Sequence, residues 1–387
     1  MRFLIFGSHL NSIINFRGKL IDEIKNRGNE VHILVPSIDD FKDQAKYLRS
    51  KDFIIHTIPM QRTGTNPLQD IYSLYNLYKI FSKIKPDFIL SYTIKPVIYG
   101  TLIAWLTGIS YRFALITGLG YSFNNIETKN SISFFQKIIY KLYKFSLAKT
   151  DITFFQNIDD LKLFEKMELV RNTRVIVVNG SGVDLDHYIY NIKLLENSTE
   201  KDPLKFLMLG RIIGDKGIRE YIAAARRLKQ KYSERVVFQL AGGLDSNPTA
   251  IQKNELDSWI EEGIIEYLGK LKDVRPILTD SHVFILPSYR EGTSRSILEA
   301  MSIGRPVVTT NVPGCKQLVI DGENGYLAEV KSVESLVNAI EKILQLSPEQ
   351  LLSMGKASRQ IVEDKYDVHK VNHHMLTEMG IMGENNV

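Results

Sequence analysis

The stretch VFILPSYREGTSRSILEA, residues 283–300, contains a strand, a loop and the start of a helix in direct succession. Val283–Leu286 is a short run of aromatic and branched aliphatic residues, which is typical of a buried strand. Small residues follow at 292–294, and Ile297 and Leu298 then begin an apolar pattern with helical spacing. A strand that leads through a short loop into a helix is the repeating unit of a parallel sheet.

The same alternation extends outward over the whole chain. Strand-like runs separated by helical patterns lie at 3–6, 31–35, 53–58, 88–90, 113–116, 152–155, 175–178, 206–209, 236–241, 264–267, 283–286 and 307–309. A polar, aperiodic stretch at 185–203 interrupts the series, as a linker does. We therefore predict an α/β fold with two Rossmann-like doubly wound domains facing across a cleft.

The predicted boundaries divide the chain into an N-terminal domain, 1–184, a linker, 185–203, and a C-terminal domain, 204–366. The stretch 367–387 is compatible with a helix that packs back on the first domain. The length of 387 residues suits two domains, and a single cysteine excludes a disulfide framework and a zinc ribbon. The first apolar run is too short for a signal peptide, and glycines and Arg112 interrupt the most apolar stretch, so we expect neither export nor a spanning helix.

The net charge of +5 is unevenly distributed. Residues 1–184 hold 24 basic and 16 acidic side chains, whereas residues 185–387 hold 25 and 28. Lys137, Lys141 and Lys144 share one helical face in a segment, 129–149, that has no acidic residue. This segment is a candidate interfacial helix for an anionic membrane; the alternative is an ordinary amphipathic helix that packs on the domain.

Two loops point to an anionic ligand. The loop before Ile297 places unpaired backbone N–H groups and a helix dipole at one spot, flanked by Glu291 and Glu299. Carboxylates accept hydrogen bonds from sugar hydroxyls, so a phosphorylated sugar or nucleoside fits; alternatively, Glu291 complements the helix dipole and Glu299 is solvated. After the run 206–209, Arg211 and Lys216 supply two cations that suit a diphosphate, although neither a P-loop nor a dinucleotide fingerprint is present.

Together these loops resemble the donor site of glycosyltransferase family 4, whose members are retaining enzymes of GT-B fold. The matching residues are Gly210-Arg211, Lys216-Gly217, Pro287-Ser288 and the pair Glu291 and Glu299. The resemblance covers nearly the full length. Within the family, Asn15-Phe16-Arg17 and the stretch 111–120 are similar to bacterial enzymes that add N-acetylgalactosamine to an undecaprenyl-diphosphate-linked amino sugar.

The resemblance implies that Arg211 and Lys216 bind the donor diphosphate, that Glu299 binds the ribose and that Glu291 binds the donor sugar. Glu291, Arg211 and Lys216 are the implied catalytic residues, because the positive charges of Arg211 and Lys216 would stabilise the departing diphosphate while Glu291 holds the hydroxyls of the reacting sugar. Further donor contacts are implied for Gly7, Tyr267, Leu268, Gly292, Thr293, Ser294 and Arg295. The chain departs from the family at Thr293 and Arg295, which replace apolar residues.

Acceptor contacts are implied less directly. Many family members carry a histidine after the fourth strand, where this chain has Tyr92 and Lys95; surface packing is the alternative role of these two residues. Asn15, Arg17 and Thr117 complete the implied acceptor set. Asp184-Leu185-Asp186 matches a turn of the family and is not interpreted as a metal site.

The expected activity is retaining transfer of an N-acetylhexosamine, with N-acetylgalactosamine in α-1,3 linkage as the best assignment. The expected donor is a uridine-diphosphate sugar, and the expected acceptor is an undecaprenyl-diphosphate-linked amino sugar at the cytoplasmic face of the inner membrane. No cofactor, metal or nucleic acid is expected. The alternatives are a nucleotide-sugar epimerase of similar form and a non-catalytic nucleotide-sugar binding protein.

Overall fold

The computed structural model describes residues 1–61, 67–118, 134–199, 201–245, 247 and 249–381. Part of the motif at 111–120 and the start of the lysine-rich segment 129–149 lie outside these residues. The chain forms two compact units, Met1–Ser181 with His369–Val387 and Gly182–Val368. Each unit is built on one parallel sheet, which confirms the predicted fold class.

The first unit has seven parallel strands in the order β3-β2-β1-β4-β5-β6-β7. The strands are β1 (Arg2–Phe6), β2 (Glu30–Val35), β3 (Ile54–Thr57), β4 (Phe88–Tyr92), β5 (Tyr111–Ile116), β6 (Ile152–Phe155) and β7 (Arg174–Val177). The helices are α1 (Leu10–Asn26), α2 (Lys42–Ser50), α3 (Pro67–Ile84), α4 (Thr101–Leu106), α5 (Phe134–Leu147) and α6 (Ile158–Lys166).

Alternation along β1 shows how the two faces of this sheet are covered. Phe3 and Ile5 lie in one core with residues of α1 and α2, whereas Leu4 and Phe6 lie in another with residues of α3 and α4. Successive side chains of a strand point to opposite faces, so α1 and α2 cover one face and α3 and α4 cover the other. Tyr140 and Tyr143 of α5 belong to a third core with Ala114 and Ile116 of β5, on the face next to α4.

The second unit has six parallel strands in the order β10-β9-β8-β11-β12-β13. The strands are β8 (Leu204–Leu209), β9 (Val236–Ala241), β10 (Glu266–Tyr267), β11 (Val283–Leu286), β12 (Val307–Thr310) and β13 (Gly325–Ala328). The helices are α7 (Lys193–Asn197), α8 (Ile218–Tyr232), α9 (Lys253–Glu261), α10 (Arg275–Thr279), α11 (Arg295–Ile303), α12 (Val333–Leu344) and α13 (Pro348–Lys365). The stretch 185–203, interpreted above as a linker, lies within this unit, since Tyr188 and Leu195 are buried in its core.

The last helix, α14 (Val368–Glu378), packs on the first unit. Met375 and Leu376 are fully buried in the core that contains α1. His369 Nδ1 and Asn372 Nδ2 lie 3.1 Å and 3.0 Å from Glu23 Oε1 on α1. Both ends of the chain therefore contribute to the first unit.

In each sheet the strand order reverses at a central strand. β1 pairs with β2 on one side and β4 on the other, and β8 pairs with β9 and β11 in the same way. Ligands of doubly wound sheets bind beyond the carboxyl ends of the strands at such a reversal. The loops after β1 and β4, and those after β8 and β11, are therefore expected to bind the ligands of the two units.

His282, buried just before β11, makes the stability of the second unit depend on pH. Its Nδ1 accepts the N–H of Lys205 at 3.1 Å, and its Nε2 lies 3.0 Å from Ser198 Oγ. Burial, reinforced by the positive charges of Arg305 and Lys205, lowers the pKa of His282 from 6.5 to about 4. Between these pH values the unfolded chain binds a proton that the folded chain does not, so stability falls as the pH decreases.

We expect the free energy of unfolding to decrease by about 2 kcal/mol from this group between pH 8 and pH 5. Urea unfolding of the parent protein and a His282→Gln variant at both pH values measures it, and the variant should show the smaller decrease. Exposed His374 on α14 supplies the control substitution, His374→Gln. Equal pH dependence in the parent and in His282→Gln would contradict the assignment.

Candidate functional site

The loops after β8 and β11 meet at a glycine. Gly217 follows the 3₁₀ turn Gly214–Lys216 and has a φ of 73°, in the left-handed region that favours glycine. A Cβ at this position would lie 2.1 Å from the carbonyl oxygen of Pro287. Because Gly217 has no side chain, the turn that carries Lys216 packs directly against the loop after β11.

This packing brings Lys216 to Glu291. The Lys216 ammonium donates to Glu291 Oε1, and Ser288 Oγ donates to the same oxygen at 2.7 Å. The side chains of Lys216 and Glu291 are only 19% and 15% exposed. The structure thus places Lys216 and Glu291, two of the three predicted catalytic residues, in contact. Ser288 orients the Glu291 carboxylate.

A third loop, after β12, holds Glu291 from the other side. The N–H of Glu291 donates to Pro313 O at 3.0 Å, and the N–H of Ser294 donates to Gly314 O at 3.0 Å. Gly314 has a φ of 82°, and a Cβ there would lie 2.2 Å from the carbonyl oxygen of Glu291. The position of Glu291 therefore depends on the absence of a side chain at residue 314.

We expect Gly314→Ala to displace the Glu291 loop and to weaken binding of uridine diphosphate. The matched control is Gly322→Ala, since Gly322 has nearly the same φ, 83°, but open space around its Cβ position. Left-handed alanine costs about 1–2 kcal/mol at either position, so any further loss at residue 314 reports the steric overlap. Thermal unfolding and calorimetric titration measure both effects, and equal losses in the two variants would contradict the role of Gly314.

Helix α11 starts beside Glu291. Within the described part of the chain, no side chain caps its N-terminus at Ser294 and no acidic residue lies in its first turn. Backbone N–H groups at the start of a helix, together with the positive end of its dipole, attract anions. Lys216 and this helix start therefore give one edge of the sheet the positive charge that a phosphate group requires.

Glu299 lies one turn further along α11 and is 9% exposed. Arg295 Nε donates to Glu299 Oε1 at 2.8 Å, and the hydroxyl of buried Tyr188 is also hydrogen-bonded to this carboxylate. Burial and the negative charge of Glu299 raise the pKa of Tyr188 above its usual range. Arg295, an unusual residue for the family, thus neutralises Glu299 from the same helix.

Arg211 is more open than Lys216. Its side chain is 57% exposed, and its Nη1 lies 3.3 Å from Asp245 Oδ2. Lys216, Arg211 and Arg295 therefore each lie beside a carboxylate. A diphosphate would compete with Glu291 and Asp245 for two of them.

Asp245 and Tyr188 were not predicted as site residues. Asp245 follows Gly242-Gly243 at the end of β9, and this glycine pair after a strand is the signal that could have identified the loop. Tyr188 lies in the stretch that was interpreted as a linker. No pattern in the stretch 185–203 predicts that Tyr188 contacts Glu299.

Tyr267 and Leu268, two of the implied donor contacts, lie at the end of β10 and are hydrogen-bonded to the neighbouring strand and its loop. The Tyr267 hydroxyl donates to Gly242 O at 2.7 Å, and the Leu268 N–H donates to Leu240 O at 2.9 Å. Burial raises the pKa of Tyr267. In this conformation, Tyr267 and Leu268 shape the loop after β9.

In the first unit, the loops after β1 and β4 also meet at a glycine. A Cβ on Gly7 would lie 2.6 Å from the ring of Tyr92. The Tyr92 hydroxyl lies 3.1 Å from Ser12 Oγ, and the guanidinium of Arg17 lies 5.8 Å from the ring centroid. Tyr92 and Arg17 are each 2% exposed, so as they stand they support neighbouring groups rather than present a surface to an acceptor.

The remaining acceptor candidates are separate from that cluster. Lys95 Nζ forms a largely buried ion pair with Asp70 Oδ1 at 2.9 Å, beside the start of α3. Asn15 is exposed on α1, and Thr117 is half-buried directly after β5. The donor contact of Gly7 and the acceptor roles of Lys95, Asn15 and Thr117 stay predictions.

Asp184 has a local structural role. Its Oδ1 accepts the N–H groups of Asp186 and His187 at 3.1 Å and 3.2 Å, which stabilises a turn. Among the residues that the structure describes, no three histidine, cysteine or carboxylate side chains are grouped to hold a metal ion. In the same part of the chain, no helix has the length and apolar character of a membrane span.

Comparisons with known proteins identify the family. Residues 203–346 match the model described as glycosyl transferases group 1, and residues 8–157 match the model described as glycosyl transferase 4-like. The N,N'-diacetylbacillosaminyl-diphospho-undecaprenol alpha-1,3-N-acetylgalactosaminyltransferase of Campylobacter jejuni is 30% identical over 349 residues, 88% of this chain and 89% of the relative. The chain belongs to glycosyltransferase family 4.

Other relatives of this family-4 glycosyltransferase agree. The UDP-Gal:alpha-D-GlcNAc-diphosphoundecaprenol alpha-1,3-galactosyltransferase of Escherichia coli is 27% identical over 81% of this chain and 80% of its own. HepE of Anabaena, solved with UDP and glucose, has a TM-score of 0.75 at 16% identity over 99% of this chain and all of its own. Sucrose-phosphate synthase of Thermosynechococcus elongatus has a TM-score of 0.76 at 15% identity, with 98% of each chain covered. The predicted GT-B fold and hexosyltransferase class are confirmed.

Proposed function

We propose that this glycosyltransferase moves an N-acetylhexosamine from a uridine-diphosphate donor to an undecaprenyl-diphosphate-linked amino sugar, with N-acetylgalactosamine in α-1,3 linkage as the best assignment. The observation that carries the donor half is the Lys216, Glu291 and Ser288 cluster at the start of α11. The acceptor half is supported by the Campylobacter jejuni and Escherichia coli relatives, whose names both contain an undecaprenol-linked diphosphate.

The chemistry follows from where charge develops. The bond between the anomeric carbon and the diphosphate breaks, and the diphosphate leaves with additional negative charge. Lys216, Arg211 and the start of α11 stabilise that charge, and Glu291 accepts hydrogen bonds from hydroxyls of the donor sugar. The acceptor hydroxyl forms the new bond on the same face, and its proton passes to the leaving phosphate oxygen.

Glu299 and Arg295 complete the donor site. The Glu299 carboxylate accepts hydrogen bonds from the ribose hydroxyls, and Arg295 holds that carboxylate in place through an ion pair of 2.8 Å. The positive charge of this site comes from side chains and a helix start, so we expect turnover to be unchanged by a metal chelator. The same assay with chelator and with added Mg²⁺ tests this, and loss of turnover with chelator would contradict it.

The proposed location is the cytoplasmic face of the inner membrane, with the protein bound peripherally. The acceptor is a lipid, so the enzyme must work at a bilayer surface. Lys137, Lys141 and Lys144 are exposed on α5 and supply positive charge for anionic lipids.

Transfer from labelled donors tests the proposal. Uridine-diphosphate and guanosine-diphosphate sugars are each incubated with a panel of polyprenyl-diphosphate-linked sugars, and products are separated as lipid-linked saccharides. We expect label in a lipid-linked disaccharide with a uridine-diphosphate N-acetylhexosamine, and an α-linkage by nuclear magnetic resonance. An epimerised donor with no transfer, or binding with no turnover, would contradict the proposal.

A further inference from the structure

Helix α3 of the first unit presents a stripe of apolar side chains to solvent. Leu68, Ile71, Tyr72, Tyr75 and Tyr78 are between 49% and 77% exposed. Their spacing of mostly three or four residues places them along one side of the helix, opposite the buried residues Leu77 and Phe81. A soluble helix normally places polar residues on its outer side, so this stripe requires an explanation.

The two neighbouring helices widen the stripe into a surface. Helix α4 contacts both α3 and α5. On α4, Trp105 and Leu106 are 41% and 60% exposed, and on α5 the exposed apolar residues are Ile138, Leu142 and Phe145. We call the ten exposed residues of these helices the α3–α5 surface. They make up nearly half of the exposed large hydrophobic side chains in the described part of the chain.

Lysines lie over three of the aromatic rings of this surface, those of Tyr75, Trp105 and Phe145. Lys79 Nζ lies 4.3 Å from the ring centroid of Tyr75, and Lys149 Nζ lies 4.5 Å from that of Trp105. Lys137, Lys141 and Lys144 are exposed on α5. The sequences of α3, α4 and α5 contain one acidic residue, Asp70, whose charge is neutralised by Lys95; from outside these helices, Glu168 lies 3.5 Å from Lys144. The surface is therefore both apolar and positively charged.

We propose that the α3–α5 surface docks on an anionic phospholipid bilayer. Tyrosine and tryptophan favour the membrane interface because an apolar ring carries a polar group, and lysine stems pack along apolar surface while the ammonium meets the headgroups. Helices with these two properties lie in the plane of the interface. The inference rests on the proposed function in one respect, since a lipid-linked acceptor places the enzyme at a bilayer.

Docking in this way would also bring the acceptor site to the lipid. Helix α3 begins beside Lys95, in the loop after β4, as the Asp70–Lys95 ion pair shows. The apolar stripe thus starts at the edge of the sheet where ligands bind. A diphosphate in the headgroup layer would reach this edge without leaving the membrane surface.

Cosedimentation with vesicles tests the proposal on the full chain. Vesicles of phosphatidylcholine with phosphatidylglycerol are compared with phosphatidylcholine alone, at low and high salt. The combined variant Ile71→Ser, Tyr72→Ser, Tyr75→Ser and Tyr78→Ser should have a partition coefficient onto anionic vesicles more than tenfold lower than wild type. The reason is that it lacks the apolar side chains that the wild type would bury in the bilayer. The control is Phe16→Ser with Tyr47→Ser, which changes exposed aromatic residues on α1 and α2, over the other face of the sheet.

The lysines are expected to act differently from the stripe. Replacing Lys137, Lys141 and Lys144 with glutamate should reduce binding strongly at low salt and less at high salt, since salt screens charge but not apolar contact. Wild-type binding to anionic vesicles should persist partly at high salt. Binding by the α3 variant equal to wild type would overturn the proposal. So would a wild-type dimer that the α3 variant dissociates, since a second copy would then cover the surface.

Failure of docking and failure of the proposed function can be told apart. With an acceptor that carries a short, water-soluble prenyl chain, the α3 variant should turn over at the wild-type rate. Absence of transfer by the wild type from any donor would contradict the proposed function while leaving vesicle binding measurable. Circular dichroism of each variant verifies that it is folded.

Discussion

Lys216→Ala is expected to lower kcat/KM for the donor about 100-fold. The lysine donates to Glu291 in a position that is 19% exposed, so its charge is only partly screened by water. Hydrogen bonds to charged groups contribute about 1.5–3 kcal/mol, and about 1.4 kcal/mol corresponds to a factor of ten. The diphosphate gains negative charge as it leaves, so the larger part of the loss should appear in kcat.

The matched control for this variant is Lys253→Ala on α9. It removes the same charge from the same unit and also breaks an ion pair, with Asp257 at 2.6 Å, but its side chain is 75% exposed. We expect its kcat/KM to stay within about twofold of wild type, since exposed ion pairs contribute little. Equal losses in the two lysine variants would show that overall charge, rather than the position of Lys216, determines the rate.

Glu291→Ala is expected to lower kcat without weakening the binding of uridine diphosphate. Its carboxylate is proposed to bind the donor sugar, so kcat should fall about 100-fold, as expected when an interaction with the reacting sugar is lost. Uridine diphosphate lacks the donor sugar that Glu291 is proposed to bind, and removal of Glu291 frees Lys216 from a competing carboxylate. The affinity for uridine diphosphate should therefore be unchanged or higher.

Steady-state kinetics and calorimetry on the same protein samples distinguish the two roles of Glu291. Ser288→Ala, which removes only the 2.7 Å hydrogen bond to the carboxylate, is the milder comparison and should lose less than tenfold in kcat. A large fall in affinity for uridine diphosphate in Glu291→Ala would mean that this residue holds the loop in place instead of binding the sugar.

The sequence predicted the parts of the donor site that are local in the chain. The loop from Glu291 to Ser294 lies between a strand and a helix. The residues just before and after it in the sequence are enough to predict that it leads into the start of a helix. The contact of Lys216 with Glu291 joins residues 75 positions apart, and it was reached only through resemblance to a family. The parallel sheets were predictable because twelve of the thirteen strands in the described residues overlap the runs predicted from the sequence; β13, Gly325–Ala328, was missed and has no β-branched residue.

Other features depend on tertiary contacts that leave no pattern in the sequence. Arg295 and Glu299 are spaced for an ion pair on one helix, but their link to Tyr188 crosses more than a hundred residues. Asp245 reaches Arg211 only because β9 lies next to β8. The role of the aromatic residues of α3 depends on which side of the helix faces solvent. From the sequence alone, Tyr72 and Tyr75 could belong to the core, but in the structure they are exposed and the opposite side of α3 packs on the sheet.

The central claim is that the second unit binds a nucleoside diphosphate at Lys216 and the start of α11. Isothermal titration with uridine diphosphate tests it most directly, on wild type, Lys216→Ala, Glu299→Ala and the control Lys253→Ala. We expect one site in the wild type and in the control, with affinity at least tenfold weaker in Lys216→Ala and in Glu299→Ala. Affinity unchanged in both of these variants would contradict the assignment of this site.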